Sequence, residues 1–325
     1  MDYLRRIKSP IVREFEDFGY LFNEALSHPD GLLSQALTHI RQRTGKQMRP
    51  MITLLSAKNY GEVSSVTLHS AVALELLHTA SLTHDDVVDE SNERRGQPSL
   101  NASFSNKVAV LVGDYILSTC LLNVAHAGSK EILHELSELG RTLASGEILQ
   151  LQNITNKEIS EDLYYQVIEK KTASLFQTCA GVGALSVGAS EEDVELAKNF
   201  GRNLGMIFQI RDDIFDYFES SEVGKPTGAD MAEGKLTLPV IYALKHSPYE
   251  SMTPLALKVK AGTINADEIA VLVEFTKEYG GIEYAQQKMD EIAVEVRQYI
   301  DEHVNDPSLK NAYTAYLEYA IQRNL

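Results

Sequence analysis

The chain has 325 residues, 44% of them apolar and 23% charged, which suits a protein with a sizeable core and excludes a disordered polymer. Its formal net charge of −16 excludes the basic stripe of a nucleic-acid binder, so an anionic ligand would have to be held by a few local bases or through metal ions. Cys120 and Cys179 are too few for a disulfide framework and are expected to be buried thiols in a reducing, cytoplasmic setting.

In chain order, "MDYLRRIKSPIVREFEDF" is charged throughout and lacks the apolar run of a signal peptide. "TGKQMRP", residues 44–50, places Lys46 and Arg49 ahead of a helix that Pro50 can open. The apolar run "LELLHTASL" then leads into "THDDVVDESNERRG", residues 83–96. No proline occurs between Pro98 and Pro226, and apolar residues there recur at three and four, the helical spacing. Residues 172–190, "TASLFQTCAGVGALSVGAS", carry no charge, yet small residues dominate and give little transfer energy. They predict a helix packed closely against neighbours, not an integral membrane segment. Helix starts are expected at Ser160, at Ser190, and at Asn265 with Glu268 three residues on. "LGMIFQI" leads into a second acidic cluster, "RDDIFDY", at 211–217. The longest departure from helix is 220–239, a glycine- and proline-containing loop with Lys225 and Lys235 each directly after a glycine. Hairpin turn signals and low-complexity linkers are lacking, so the reading is all-α, one large helical domain over 1–325.

The two clusters share Asp-Asp-x-x-Asp. In a helix Asp85 and Asp89 lie one turn apart on one face, as do Asp212 and Asp216, and like charges so spaced destabilise a bare helix by about 0.2–0.5 kcal/mol per pair. Building this twice, each time at the end of an apolar helix, points to a bound cation. Open carboxylate oxygens suit Mg2+, which keeps waters and takes one or two carboxylates plus substrate phosphates. A solvated acidic helix face would explain one cluster alone. It explains two behind apolar runs less well. Helical spacing also puts His78 on the face of Asp85, and Gln209 on the face of Asp212 and Asp216. Lys171 and Thr172 begin the small-residue helix, and Arg94 and Arg95 follow Asp89 closely.

The motifs "GKQMRP", "LELLHTASLTHDDVVDESNERRGQPS", "GDYIL", "GEILQL", "KTASLF", "FQIRDDIFDY", "GKPTGAD" and "EGKLTLP", in that order, resemble the trans-isoprenyl diphosphate synthase, or polyprenyl synthetase, family. The resemblance implies a single helical bundle of the isoprenoid synthase type with a central cavity, acting as a homodimer. It implies about three Mg2+ ions on Asp85, Asp86, Asp89, Asp212, Asp213 and Asp216 around an allylic diphosphate. Arg94, Lys171, Lys225 and Lys235 would contact that diphosphate. Lys46, Arg49, His78 and Arg95 would form a metal-free pocket for isopentenyl diphosphate. Thr172 and Gln209 would border the reacting carbons and stabilise the allylic cation, with Lys171 beside them. Arg211 departs from the apolar residue of many relatives.

A growing prenyl tail is expected to run down the helix below Asp85. Ser81 and Ala80, one turn deeper, are small and leave the way open towards Leu77. With about 5.4 Å per helical turn, roughly an isoprene unit, the expected product is about C30 to C50, with a shorter product as the alternative. A terpene cyclase is disfavoured because its second metal site usually carries Asn, Ser and Glu. A di-iron bundle could use Glu75–His78 and Glu131–His134 but leaves the aspartates unexplained. A non-catalytic partner subunit would be expected to have lost acids that are all present here.

Overall fold

The computed structural model describes residues 2–43, 45–94, 96–156, 158–218, 227–247 and 252–322. The chain is all-helical, as the periodicity predicts. Its helices are α1 (Tyr3–Lys8), α2 (Val12–Ala25), α3 (Gly31–Arg41), α4 (Met48–Tyr60), α5 (Ser65–Val88), α6 (Leu100–Ser103), α7 (Asn106–Ala127), α8 (Lys130–Thr155) and α9 (Glu161–Ile168). They continue as α10 (Ser174–Leu185), α11 (Glu191–Phe215), α12 (Ala229–Ala232), α13 (Leu238–His246), α14 (Thr253–Lys260), α15 (Ala266–Glu278), α16 (Gly281–His303) and α17 (Pro307–Gln322). A two-residue antiparallel ribbon, Glu93–Arg94 against Gln97–Pro98, follows α5. Two compact units share the chain. One comprises Met1–Gly140, Thr178–Lys198 and Val304–Tyr313; the other comprises Arg141–Gln177, Asn199–His303 and Thr314–Leu325.

The expected helix starts are present. Ser160 and Ser190 accept from the amides of Leu163 and Asp193, and Asn265 forms a reciprocal box with Glu268. Helix α4 begins two residues before Pro50, which sits within the first turn, where a missing N–H leaves no bond unmade. Gln47, just ahead of it, holds φ 53°, a left-handed backbone that a non-glycine residue adopts at a cost.

In the first unit α5 is the spine, buried without interruption from Ser70 to His78. A helix buried all round belongs in a core. Helix α7 packs along it, and Gly113 permits the approach, since a Cβ there would lie 2.2 Å from His84 Nε2. The small-residue reading of 172–190 holds within this unit: Cys179, Ala180, Val182 and Ala184 are fully buried in α10. A Cβ on Gly183 would fall 2.3 Å from the Thr53 carbonyl oxygen, and Ser56 Oγ donates to the Ala180 carbonyl at 2.6 Å. Cys120 and Cys179 are free buried thiols, and burial pushes both up to about 12, out of reactive range. Helix α7 is long and apolar enough to cross a membrane by length and composition alone. One face of it is covered by α5, and the other leaves Val110, Leu111, Leu117, Leu121 and Leu122 exposed.

The second unit packs α13, α15 and α16 together around Tyr217, Met231, Val240, Val259 and Leu272. A π turn, Glu169–Ala173, is inserted between α9 and α10. Two glycines allow neighbours to close on that turn. A Cβ on Gly146 of α8 would lie 2.8 Å from Lys170 Cβ, and one on Gly205 of α11 would lie 2.6 Å from Ala173 Cα. The turn carrying Lys171 and Thr172 is therefore gripped by backbone from two helices.

Candidate active site

Both acidic motifs sit at the C-terminal ends of helices, a placement that spacing alone did not specify. Helix α5 stops at Val88 and α11 at Phe215, so Asp89 and Asp216 fall just past the last helical residue. The spacing still holds, because the Asp89 amide donates to the Asp85 carbonyl at 2.8 Å and the Asp216 amide to the Asp212 carbonyl at 3.3 Å. A helix C-terminus carries partial negative charge and repels carboxylates. The placement strengthens the need for a compensating cation.

Within each motif the three acids differ. Asp85 is half-buried and Asp89 exposed, but Asp86 is buried and takes Nε and Nη2 of Arg94 on its Oδ1, each at 2.7 Å. In the second motif Asp213 is the buried member. Tyr164 Oη donates to its Oδ2 at 2.5 Å and Gln209 Nε2 to its Oδ1 at 2.8 Å. Burial and the neighbouring Asp230 carboxylate push Asp213 upward, while these two donors oppose the shift. Asp216 accepts the amides of Ala229 and Asp230 at 2.9 and 3.2 Å and so caps α12 from outside. Asp230 is half-buried, and desolvation with the Asp216 carboxylate pushes it up to about 6, against the pull of Lys235.

The π turn presents Lys171 and Thr172. Lys171 Nζ reaches Glu147 Oε1 at 2.6 Å and Gln150 Oε1 at 3.0 Å, both from the "GEILQL" stretch of α8. Thr172 Oγ1 donates to Gln209 Oε1 at 2.7 Å. A single-turn π insertion in an α-helix is common at functional sites because it re-aims side chains out of register. Gln150, Lys171, Thr172 and Gln209 line a cavity of about 220 Å³ in the second unit, together with Asp213, Asp230 and Lys235. Lys235 Nζ is paired with Glu233 at 2.6 Å. A smaller cavity of about 80 Å³ in the first unit is lined by His78, Asp86 and Arg94, joined by His39, Arg43 and Glu75.

Of the residues singled out from the sequence, the structure gathers Lys171, Thr172, Gln209, Asp213 and Lys235 in one cavity, and His78, Asp86 and Arg94 in another. Lys46 is exposed and Arg49 half-buried, and neither lines these two cavities. Leu77 and Ala80 are buried in α5 and Ser81 is half-buried. Arg95 and Lys225 lie outside the described residues. Sequence reasoning assigned no role to Glu147, Gln150, Tyr164, Asp230, Gly146 or Gly205. Glu147, Gln150, Gly146, Asp230 and Gly205 stood within quoted stretches; Tyr164 gave no signal at all. The rival Glu131–His134 pair is a helix start: Ser129 Oγ bonds Glu131 Oε2 at 2.9 Å and caps the Ile132 amide at 3.2 Å.

An all-helical chain with two Asp-Asp-x-x-Asp helix ends, and a lysine and a threonine on a π turn beside a glutamine, has the makings of an isoprenyl-diphosphate-handling enzyme. A sequence model of the family described as polyprenyl synthetase matches residues 30–275. The chain is 34% identical over 291 residues to the octaprenyl diphosphate synthase of Escherichia coli (strain K12), covering 89% of this chain and 90% of that one. It resembles the crystal structure of geranylgeranyl pyrophosphate synthase from Bacteroides thetaiotaomicron at 47% identity and a TM-score of 0.88, over 99% of this chain and 100% of the other. It also resembles that of a decaprenyl diphosphate synthase from Rhodobacter capsulatus at 31% identity and a TM-score of 0.90, over 98% of both chains. The chain belongs to the polyprenyl synthetase family and is a prenyltransferase of that family.

Proposed function

We propose that the chain, acting as one catalytic domain, elongates an allylic diphosphate by successive head-to-tail trans condensations with isopentenyl diphosphate, releasing pyrophosphate at each step. The observation that carries this reading is the π turn, where an ammonium (Lys171) and a hydroxyl–amide pair (Thr172 and Gln209) border the same cavity. Lys171 is oriented by Glu147 and Gln150, so its charge is held in place for an incoming diphosphate. Lys235 adds a second ammonium to that cavity. Thr172 and Gln209 offer oxygen dipoles to the developing allylic cation. In the first unit Arg94 serves the allylic diphosphate, and His78, Lys46 and Arg49 serve isopentenyl diphosphate; Arg95 joins the second set and Lys225 the first by resemblance.

The donor set suits Mg2+. Asp85, Asp89, Asp212 and Asp216 are not fully buried, and carboxylates retain lone pairs beyond the bonds seen here. No three His, Cys, Asp or Glu side chains converge into a cage among the described residues, which fits an ion that arrives with waters and substrate phosphates as its other ligands. Asp85 and Asp89 would hold it on one motif, and Asp212 and Asp216 on the other; Asp86 and Asp213 stand behind them. When bound, Mg2+ would take up negative charge on the departing diphosphate.

The product proposed from the small residues Ala80 and Ser81 is about C30 to C50, and the octaprenyl and decaprenyl relatives support it. A shorter product is the second reading, favoured by the 47% identity to a geranylgeranyl pyrophosphate synthase. The chain is proposed to work in the cytoplasm as a homodimer, with the uncovered apolar face of α7 (Leu111, Leu117, Leu121 and Leu122) as the surface that a second copy covers. The test is one assay with Mg2+, labelled isopentenyl diphosphate and primers from dimethylallyl to geranylgeranyl diphosphate, read by product length. Failure of the folded protein to condense any primer would overturn the proposal.

A further inference from the structure

Three hydrogen bonds run in series through the second unit, from Tyr164 to Thr172. Tyr164 Oη donates to Asp213 Oδ2 at 2.5 Å, Gln209 Nε2 donates to Asp213 Oδ1 at 2.8 Å, and Thr172 Oγ1 donates to Gln209 Oε1 at 2.7 Å. The two ends of a glutamine amide are nearly the same shape and differ only in polarity, so its orientation is set by its partners. In the ionised form that these two donors favour, Asp213 accepts and does not donate. The edge of Gln209 that meets Asp213 must therefore be the –NH2, and the carbonyl oxygen is turned to the opposite side, beside Thr172. Asp213 could still rotate about its own terminal torsion and release the amide. Tyr164 prevents this by occupying the second carboxylate oxygen. Asp213 is 2% exposed and Tyr164 5% exposed, so the bond between them is buried.

We propose that Tyr164, acting through Asp213, is a positioning residue for the condensation: it fixes the Gln209 amide with its carbonyl oxygen, and not its N–H groups, turned towards Thr172 and the reacting carbons. The direction of that dipole matters. An amide oxygen lowers the energy of a nearby cation, whereas amide hydrogens in the same place would raise it. The assignment also gives Asp213 work other than metal binding, and leaves Asp212 and Asp216 as the ligands of the second motif. It rests on the proposed reading that Thr172 and Gln209 border the allylic carbons.

The test is a double-mutant cycle on the full-length enzyme with Mg2+ and both diphosphates, following a single condensation. Tyr164→Phe removes one O–H and keeps the ring in its place. It is expected to lower kcat about tenfold, the size of one lost hydrogen bond to a charged group, with KM for each diphosphate within about twofold. In a Gln209→Ala background the same substitution is expected to change kcat by less than about twofold, because the group being positioned is gone. Thermal unfolding of each variant, with kcat expressed per folded molecule, separates positioning from loss of folded protein. If Tyr164→Phe lowers kcat equally with and without Gln209, or lowers only stability, the positioning proposal is overturned while Gln209 keeps its place in the site. If Gln209→Ala alone leaves kcat unchanged, the underlying reading of the site falls instead.

Discussion

Gly205 is the most sensitive backbone contact behind the π turn. A methyl at this position would lie 2.6 Å from Ala173 Cα and 3.2 Å from Phe176 Cβ, where ordinary contact begins near 3.4 Å. The first of these partners is backbone and cannot swing aside. In Gly205→Ala, α11 and the π turn must therefore separate by roughly 0.8 Å, with an overpacking cost of about 1–3 kcal/mol. Replacing a helical glycine by alanine returns about 1 kcal/mol through helix propensity, so the net loss of stability is about 0–2 kcal/mol. Activity should suffer more. Gln209 is on α11 one turn from Gly205, and its bond to Thr172 spans the contact being forced apart. A misplacement approaching 1 Å is worth up to about 100-fold in rate. The assay is single-condensation kcat beside thermal unfolding, with Gly140→Ala in α8 as the control, since a Cβ there meets nothing within 4 Å. The control should keep its rate and gain up to about 1 kcal/mol. A Gly205→Ala enzyme with kcat within about twofold of the parent would refute the claim that this contact positions the turn.

The raised Asp230 gives a pH signature. Its carboxyl sits at about 6 when folded, against an ordinary 3.8, so the folded chain holds that proton more tightly than the unfolded one. Its ionisation therefore lowers stability as pH rises from about 4 through about 6, by about 2–3 kcal/mol at most. Asp230→Asn should match the parent near pH 4 and be more stable above pH 6.5, as read by denaturant unfolding at each pH; parallel curves would remove the assignment. Glu147→Gln takes the charge partner from Lys171 and should lower kcat about tenfold while leaving the fold intact, as judged by kinetics and unfolding together. Ala80→Phe should shorten the product towards geranylgeranyl or farnesyl length on chromatography of the dephosphorylated lipids; an unchanged length would show that the tail passes elsewhere.

Much of the site was legible because its chemistry is local. An Asp-Asp-x-x-Asp at the end of an apolar run states its face, its charge and its need for a cation within one turn of helix, and the capping residues at Ser160, Ser190 and Asn265 act on amides only three positions away. Eight motifs in order were enough to place the chain in its family and to mark Lys171, Thr172 and Gln209. The same locality hid the differences within each motif. Nothing in "HDDVVDE" says that Asp86 is buried under Arg94 while Asp89 is exposed, and nothing in "RDDIFDY" says that Tyr164, 49 positions earlier, closes on Asp213. The spacing also could not say that both helices end inside their motifs, because the i to i+4 relation survives one residue past the last helical turn.

By itself, then, the sequence determined the helical class, the positions of the acids and bases, and the kind of ligand they suit, since periodicity, capping and charge are properties of neighbours in the chain. Tertiary structure alone decided which of those acids are exposed or half-buried and which are buried against Arg94, Tyr164 and Gln209. It also decided why Gly146 and Gly205 are glycines: each removes a Cβ that would collide with the π turn, and such a collision is fixed by the approach of helices far apart in the chain, which no local pattern encodes.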